Sequence, residues 1–207
     1  MIGTRLRLVA AALLVAIAAE PAEAGPFRDF FANLGNDTAS YQPEDVPRNR
    51  LVPFRFRRQV VNFKTVEKPG TIIVDSRQHY LYLVMANGKA MRYGVGVGRD
   101  GFGWKGSVTI GRKAEWPTWT PPPEMIERER KRGRILPAQM DGGPKNPLGA
   151  RALYLYKGGN DTAFRIHGTS EPWTIGLNVS SGCIRLNNDD VVDLYNRAKV
   201  GAKVVML

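Results

Sequence analysis

Cys183 is the sole cysteine among 207 residues, and His79 and His167 are the two histidines. A cysteine nucleophile needs a base to make the thiolate, a group that orients that base, and donors for the oxyanion. The stretch Ser180-Ser181-Gly182-Cys183-Ile184-Arg185-Leu186 suits such a role. Small residues ahead of the thiol leave it approachable and let backbone N–H groups converge where a tetrahedral oxygen would sit. Arg185 brings positive charge that favours the thiolate and suits a substrate carboxylate.

His167 ends the run Phe164-Arg165-Ile166 and precedes Gly168-Thr169, at a strand end facing a turn. It lies sixteen positions before Cys183, across one loop, and is the candidate base. His79, beside Tyr80 in a strand run, reads as half-exposed and structural. A lone cysteine in an exported chain cannot close an internal disulfide, so it is either a small buried hydrophobe or a working thiol. Two histidines and one cysteine spread this way make no metal cluster, and no cofactor is implied.

The elements that must hold these residues are mainly strands. Thr71-Ile72-Ile73-Val74 and Tyr80-Leu81-Tyr82-Leu83-Val84 are β-branched and aromatic runs. Asn87-Gly88 signals a tight hairpin into Lys89 to Val97. Gly94, Gly96 and Gly98 alternate on that strand, which points to close backbone packing or a bulge rather than a phosphate loop. Ala152 to Tyr156, Ala163 to Ile166 and Lys203 to Leu207 complete the strand set. Asn187 or Asn188 can cap a short helix whose apolar face is Val191, Leu194, Tyr195 and Ala198. Residues 112–149 break the strand pattern, with Trp116, Trp119 and Pro121 to Pro123 leading into a charged, briefly helical stretch from Glu124 to Arg134. A connection this long within a compact domain is expected to be a lid.

The first residues speak for export. Arg5 and Arg7 precede an uncharged apolar run from Leu8 to Ala19, followed by Ala22-Glu23-Ala24 as a cleavage site. Twelve apolar residues fall short of the ~20 needed to span a bilayer, so residues 1–24 read as a cleaved signal and the location as periplasmic. Residues 25–59, with Pro43, Pro47, Pro53 and a basic cluster at Arg55, Arg57 and Arg58, read as an arm that packs on the domain in part. The domain proper then runs from 60 to 207. The net charge of +11 favours anionic surroundings without choosing among them.

His167-Gly168-Thr169 followed by Ser180-Ser181-Gly182-Cys183-Ile184-Arg185 resembles the signature of the YkuD-type L,D-transpeptidases, in the ErfK-like Gram-negative branch. Gly94-Val95-Gly96-Val97-Gly98-Arg99, Trp119 with Pro121-Pro122, Asn146-Pro147-Leu148-Gly149 and Leu153-Tyr154-Leu155 are supporting matches. The resemblance covers residues 60–207. It implies a β-sandwich with Cys and His on one cleft under a variable lid, and a short helix in the C-terminal region. It implies that Cys183 attacks the carbonyl of the third residue of a peptidoglycan tetrapeptide stem, releasing D-alanine and leaving a thioester. An amine from another stem, or from an outer-membrane protein to be tethered, then takes the acyl group.

Carried onto this chain, the resemblance makes Cys183 the nucleophile and His167 the base, oriented by the Gly168 carbonyl. The N–H groups of Gly182 and Cys183 form the oxyanion hole, and Arg185, Ser181, Thr169 and Trp119 meet substrate. Many members carry histidine where this chain has Ser181, so the tuning of the thiol differs here. Release of the thioester by water would instead make an L,D-carboxypeptidase. A non-catalytic peptidoglycan-binding module would account for charge and export, but not for a sole cysteine and a strand-end histidine falling in one motif. Nucleic acid finds no motif, and no stable membrane insertion is expected after signal cleavage.

Overall fold

A computed structural model describes residues 52–98 and 104–207. The expected signal at 1–24, the arm as far as residue 51, and Arg99 of the glycine-alternating run lie outside the described residues. In chain order the elements are β1 (Gln59–Asn62), β2 (Ile72–Asp75), β3 (Tyr80–Val84), β4 (Lys89–Gly94), β5 (Val97–Gly98) and β6 (Gly106–Glu115). Then come α1 (Pro123–Lys131), β7 (Arg151–Lys157), β8 (Asn160–His167), β9 (Asn178–Ser180), β10 (Ile184–Arg185), α2 (Asn188–Arg197) and β11 (Lys203–Met206).

Nine strands form one sheet in the order β1-β4-β3-β2-β11-β6-β7-β8-β10, and β5 pairs with β9 in a separate ribbon. The β-branched runs lie at the centre, where both faces press on neighbours. The chain's last strand, β11, is inserted parallel to β2 and antiparallel to β6. The sheet curls rather than lying flat. Gly96, just past β4, exchanges two backbone hydrogen bonds with Arg185 of β10, at 2.9 and 2.8 Å. That contact joins the fourth strand to the far edge of the order, so one core serves the whole sheet. Ile72 and Leu81 on one wing share that core with Leu153 and Ile166 on the other.

The hairpin between β3 and β4 turns where Asn87-Gly88 signals it. Asn87 and Gly88 take φ of 59° and 64°, the left-handed region that the Asn-Gly pair tolerates. Both expected uses of the alternating glycines occur: side chains at Gly94 and Gly96 would strike Phe56 and the Thr174 carbonyl, and the β5–β9 register shifts at Gly98. The short helix α2 is capped by Asn187, whose side chain accepts the Asp190 N–H at 2.9 Å. Val191 and Leu194 of its apolar face are fully buried.

Three boundaries differ from the sequence reading. The strand expected from Lys89 to Val97 ends at Gly94, because Gly96 leaves that ladder to pair with Arg185, and Val97 begins β5 in the separate ribbon. β6 continues to Glu115, pairing Arg112 to Glu115 with Tyr154 to Arg151, so the insertion begins at Trp116 rather than at 112. Polar residues hid that strand, because Arg112 lies over the Tyr154 ring at 3.5 Å instead of pointing inward. β8 starts at Asn160, ahead of the expected Ala163, because a Gly158-Gly159 turn lets Asn160 and Asp161 pair with β7.

The described end of the arm is packed. Phe56 is 5% exposed and sits where side chains on Gly94 or Gly176 would go. Arg58 forms ion pairs with Asp193 at 3.2 Å and Asp190 at 3.8 Å. Among the described residues no helix is long and apolar enough to cross a membrane.

Candidate active site

The site is built on the edge where β8 and β10 run parallel, with Ile184 opposite Ile166 and Arg185 opposite His167. Both isoleucines are buried in the core, at 1% and 0% exposure. Side chains alternate along a strand, so Arg165, His167 and Arg185 face the other way, with Cys183 two positions before Arg185 on that same face. The pairing of strands sixteen residues apart thus brings the sole thiol and the strand-end imidazole onto one surface.

His167 is 4% exposed, and its Nδ1 lies 2.5 Å from the Gly168 carbonyl oxygen. A carbonyl can accept but not donate, so Nδ1 carries the proton and Nε2 keeps its lone pair. Burial drives the imidazole pKa down to about 3, the Arg185 and Arg165 charges push the same way, and the Gly168 carbonyl opposes them. The half-buried Cys183 thiol is pushed above its ordinary value by desolvation. A hydrogen bond from the Arg165 backbone, and the charges of Arg165 and Arg185, pull it back in part. The same two arginines act on both groups, which marks one shared environment. At neutral pH this environment holds a neutral thiol and a neutral imidazole, not an ion pair.

The turn before Cys183 is fastened by Ser180. Its hydroxyl donates to the Cys183 carbonyl at 2.6 Å and accepts the Gly182 N–H at 3.1 Å. The Gly182 N–H, expected as an oxyanion donor, is therefore engaged, which leaves the Cys183 N–H as the other member of that expected pair. Gly182 itself takes φ of 108°, and a side chain there would collide with the Phe164 ring. Only glycine fits the turn without strain.

The arginines have carboxylate partners of their own. Arg185 Nη1 lies 3.0 Å from Glu171 Oε2, while its buried Nε finds no partner. Arg165 clasps Asp161 through two bonds, at 2.6 and 2.9 Å. Arg185 lies opposite His167 in the β8–β10 ladder, with Glu171 already paired to it. Ser181 is half-buried beside Cys183. Thr169 is 3% exposed and its hydroxyl accepts the Glu171 N–H at 2.9 Å, which fastens the loop after β8. Trp119 lies within the insertion, exchanging two backbone hydrogen bonds of 2.8 Å with Met140. His79 is half-buried as expected, in the turn before β3 rather than on a strand, with Nε2 2.8 Å from Asn178 Oδ1.

Sequence reasoning passed over Ser180 and Glu171. The Ser-x-Gly spacing was a signal for the first, since a serine two residues before a turn glycine commonly accepts its N–H. Glu171 carried none, because its partner lies across the loop. Among the described residues, no group of three or more His, Cys, Asp or Glu could hold a metal ion.

The family model for the YkuD L,D-transpeptidase catalytic domain matches residues 69–206. The probable L,D-transpeptidase ErfK/SrfK of Escherichia coli K12 is 36% identical over 154 residues, covering 72% of this chain and 47% of that protein. This chain thus spans about half the length of that relative. A putative L,D-transpeptidase in the ATP synthase subunits region of Fuscovulum blasticum is 33% identical over 207 residues, covering 99% of this chain and 98% of that one. A crystal structure from Brucella melitensis, described as a probable carnitine operon oxidoreductase, is 48% identical with a TM-score of 0.50, covering 79% of this chain and 97% of that chain. That description belongs to the Brucella protein alone. Matched by the domain model from residue 69 to 206, and similar to an L,D-transpeptidase relative over nearly its full length, this chain belongs to the YkuD L,D-transpeptidase catalytic domain family.

Proposed function

We propose that this chain is a periplasmic peptidoglycan L,D-transpeptidase in which Cys183 is the nucleophile and His167 the base. The observation that carries the reading is the His167 Nδ1–Gly168 carbonyl bond, which frees Nε2 on the face shared with Cys183. In the first step Cys183 gives its proton to His167 Nε2 as sulfur bonds to the carbonyl carbon of the third stem residue. The bond to the terminal D-alanine nitrogen then breaks, that nitrogen takes the proton from His167, and a thioester remains. An acceptor amine attacks the thioester, loses a proton to Nε2, and the thiol leaves with that proton restored. The acceptor is another stem or a protein lysine.

The electrostatics favour transfer of the proton during attack over a standing thiolate, because burial raises the thiol and lowers the imidazole. The Cys183 N–H serves the oxyanion, while Ser180 holds the Gly182 N–H in the resting state. Arg185 binds the stem carboxylate in exchange for part of its pairing with Glu171. The insertion from Trp116 to Gly149 acts as the lid, and its five cations from Arg128 to Arg134, set against Glu127 and Glu129, meet the anionic stem. Residues 1–24 direct export and are cleaved.

Mass spectrometry of the mature protein, Gly25 to Leu207, with disaccharide-tetrapeptides tests this, with Cys183→Ala as control. The expected result is loss of D-alanine with cross-linked dimers in the wild type alone. Tripeptide without dimer would place water as the acceptor, and absence of any thioester on Cys183 would sink the enzyme reading.

A further inference from the structure

Gly168, whose carbonyl holds the imidazole, is walled in by a side chain from another element. A Cβ on Gly168 would collide with Asn188 Oδ1, and so would a Cβ on Gly149. Asn188 is the first residue of α2, and its Oδ1 accepts the Ala150 N–H at 3.0 Å. The same added Cβ on Gly168 would stand 3.0 Å from Ala150 N and 3.1 Å from Val191 Cγ1. Three segments therefore meet at one amide oxygen: the Gly149-Ala150 turn, the Gly168-Thr169 peptide and the start of α2. The peptides flanking His167 are fixed by the ladder, with Gly168 N–H donating to Arg151 O at 3.0 Å and Leu186 N–H to His167 O at 2.8 Å. The Gly168 carbonyl lies beyond that ladder and turns toward the ring instead.

We propose that Asn188 is a positioning residue for His167: seated against Gly149 and Gly168, its amide oxygen keeps the Gly168 carbonyl aimed at Nδ1. This rests on the reading of His167 as the base. Glycine is the residue whose peptide rotates most freely, so the carbonyl needs an outside wall to hold its direction. If the carbonyl swung away, the imidazole proton would be free to move to Nε2, where the base must have a lone pair. An apolar side chain would fill the space but strand the Ala150 N–H, which needs an acceptor. The Ala150 carbonyl also accepts the Trp116 N–H at 2.9 Å, so the same contact ties the entry of the insertion to the base.

The test uses the mature protein with Asn188→Ala and Asn188→Asp, reading the His167 tautomer by nitrogen-15 NMR alongside acyl transfer from a tetrapeptide stem. Asn188→Ala is expected to lose the single Nδ1–H tautomer and to slow transfer by roughly 10- to 100-fold, the scale of a small misplacement of a reacting group. Asn188→Asp keeps an oxygen for the Ala150 N–H and is expected to restore the Nδ1–H tautomer. A folded Asn188→Ala protein with the tautomer unchanged would overturn the proposal. Should that variant fail to fold, loss of the Nδ1–H tautomer in Asn188→Asp would overturn it equally. A tautomer that shifts while transfer runs at full rate would instead leave Asn188 in its role and remove His167 as the base.

Discussion

Around His167 the chain is held by close packing on neighbouring side chains and backbone; across most of the insertion it is held by buried polar side chains. A methyl group on Gly168 or Gly182 would collide with Asn188 Oδ1 or the Phe164 ring; within the insertion, one on Gly142 would strike the Trp116 backbone, whereas one on Gly143 meets nothing within 4 Å. The insertion rests instead on two polar centres. Asn146, 1% exposed, gives its amide N–H groups to the carbonyls of Pro117, Asp141 and Met140 at 2.9, 2.9 and 3.2 Å, and takes the Leu148 N–H at 2.8 Å. Glu129, 8% exposed, gathers Arg128 at 3.5 Å, Arg132 at 3.4 Å and Arg134. Close packing resists displacement steeply, which suits groups that must meet a reacting atom to within tenths of an ångström. Polar centres tolerate rearrangement better than close packing does, which suits the lid proposed for the insertion.

The largest effect falls on the packed side of this comparison. His167→Gln is expected to lower acyl transfer by ~10²- to 10⁴-fold, the usual worth of a positioned base. It also carries a signature in stability. His167 is held near pKa 3 when folded, below its ordinary 6.5, so the unfolded chain binds the extra proton and stability falls as pH drops through that window. Asp190 is raised from 3.8 to about 6, chiefly by burial, so its effect runs the other way: stability is gained as pH falls from 6 to 4. The two oppose each other in the native protein. His167→Gln leaves Asp190 alone, so urea midpoints between pH 6 and 4 are expected to rise on acidification more in the variant than in the wild type. A parallel fall in both proteins would refute the buried neutral imidazole.

A matched glycine pair tests the contrast itself. Gly168→Ala forces a Cβ against Asn188 and is expected to cost about 1–3 kcal/mol in stability, as overpacking does, with a transfer loss near 100-fold. Gly143→Ala, facing open space, is expected to leave both within error. Equal losses would mean that the insertion is packed as tightly as the site.

The same contrast explains what the sequence could reveal. The central strands were legible because their β-branched runs report burial directly, whereas of the strands carrying the site only Ala163 to Ile166 of β8 was expected and the two-residue β10 was not; the cysteine–histidine pair stood out because the chain offers so few alternatives. A helix cap at Asn187 or Asn188 followed from local chemistry, and the structure gives it to Asn187. What escaped were relations between distant residues. Nothing near Asn146 names Pro117 or Met140 as its partners, and nothing near Gly168 names Asn188. The engaged Gly182 N–H escaped for a different reason, since a serine hydroxyl two residues away has several equivalent uses until the turn is seen.

On the polar side, Asn146→Ala strands the carbonyls of Pro117 and Asp141 and the Leu148 N–H, while the Met140 carbonyl keeps the Trp119 N–H. At about 1 kcal/mol for each lost bond, and with water able to reach part of the loop, a loss of about 2–3 kcal/mol is expected. The loss of order should centre on residues 116–149. Hydrogen exchange that rose equally along β8 and β10 would show the two regions to be one cooperative unit.

The smallest loss that should register is expected at Glu129→Gln. Breaking a fully buried ion pair costs about 3–5 kcal/mol, but exposed pairs contribute at most ~1 kcal/mol. Glu129 is buried while the side chains of Arg128, Arg132 and Arg134 are 25, 53 and 35% exposed, so water takes over much of the solvation of the arginines once the carboxylate charge is gone. The amide of glutamine still accepts a hydrogen bond, and a loss of about 1 kcal/mol is expected. Transfer should change by less than about threefold at moderate salt, with a steeper salt dependence because the insertion gains positive charge toward an anionic stem. Faster exchange within α1 together with an unmoved His167 nitrogen spectrum is the expected pair of results. A shift of the imidazole signals in Glu129→Gln would mean that the charge centre of the insertion reaches the base, through Trp116, Ala150 and Asn188, and that the two regions are coupled rather than merely adjacent.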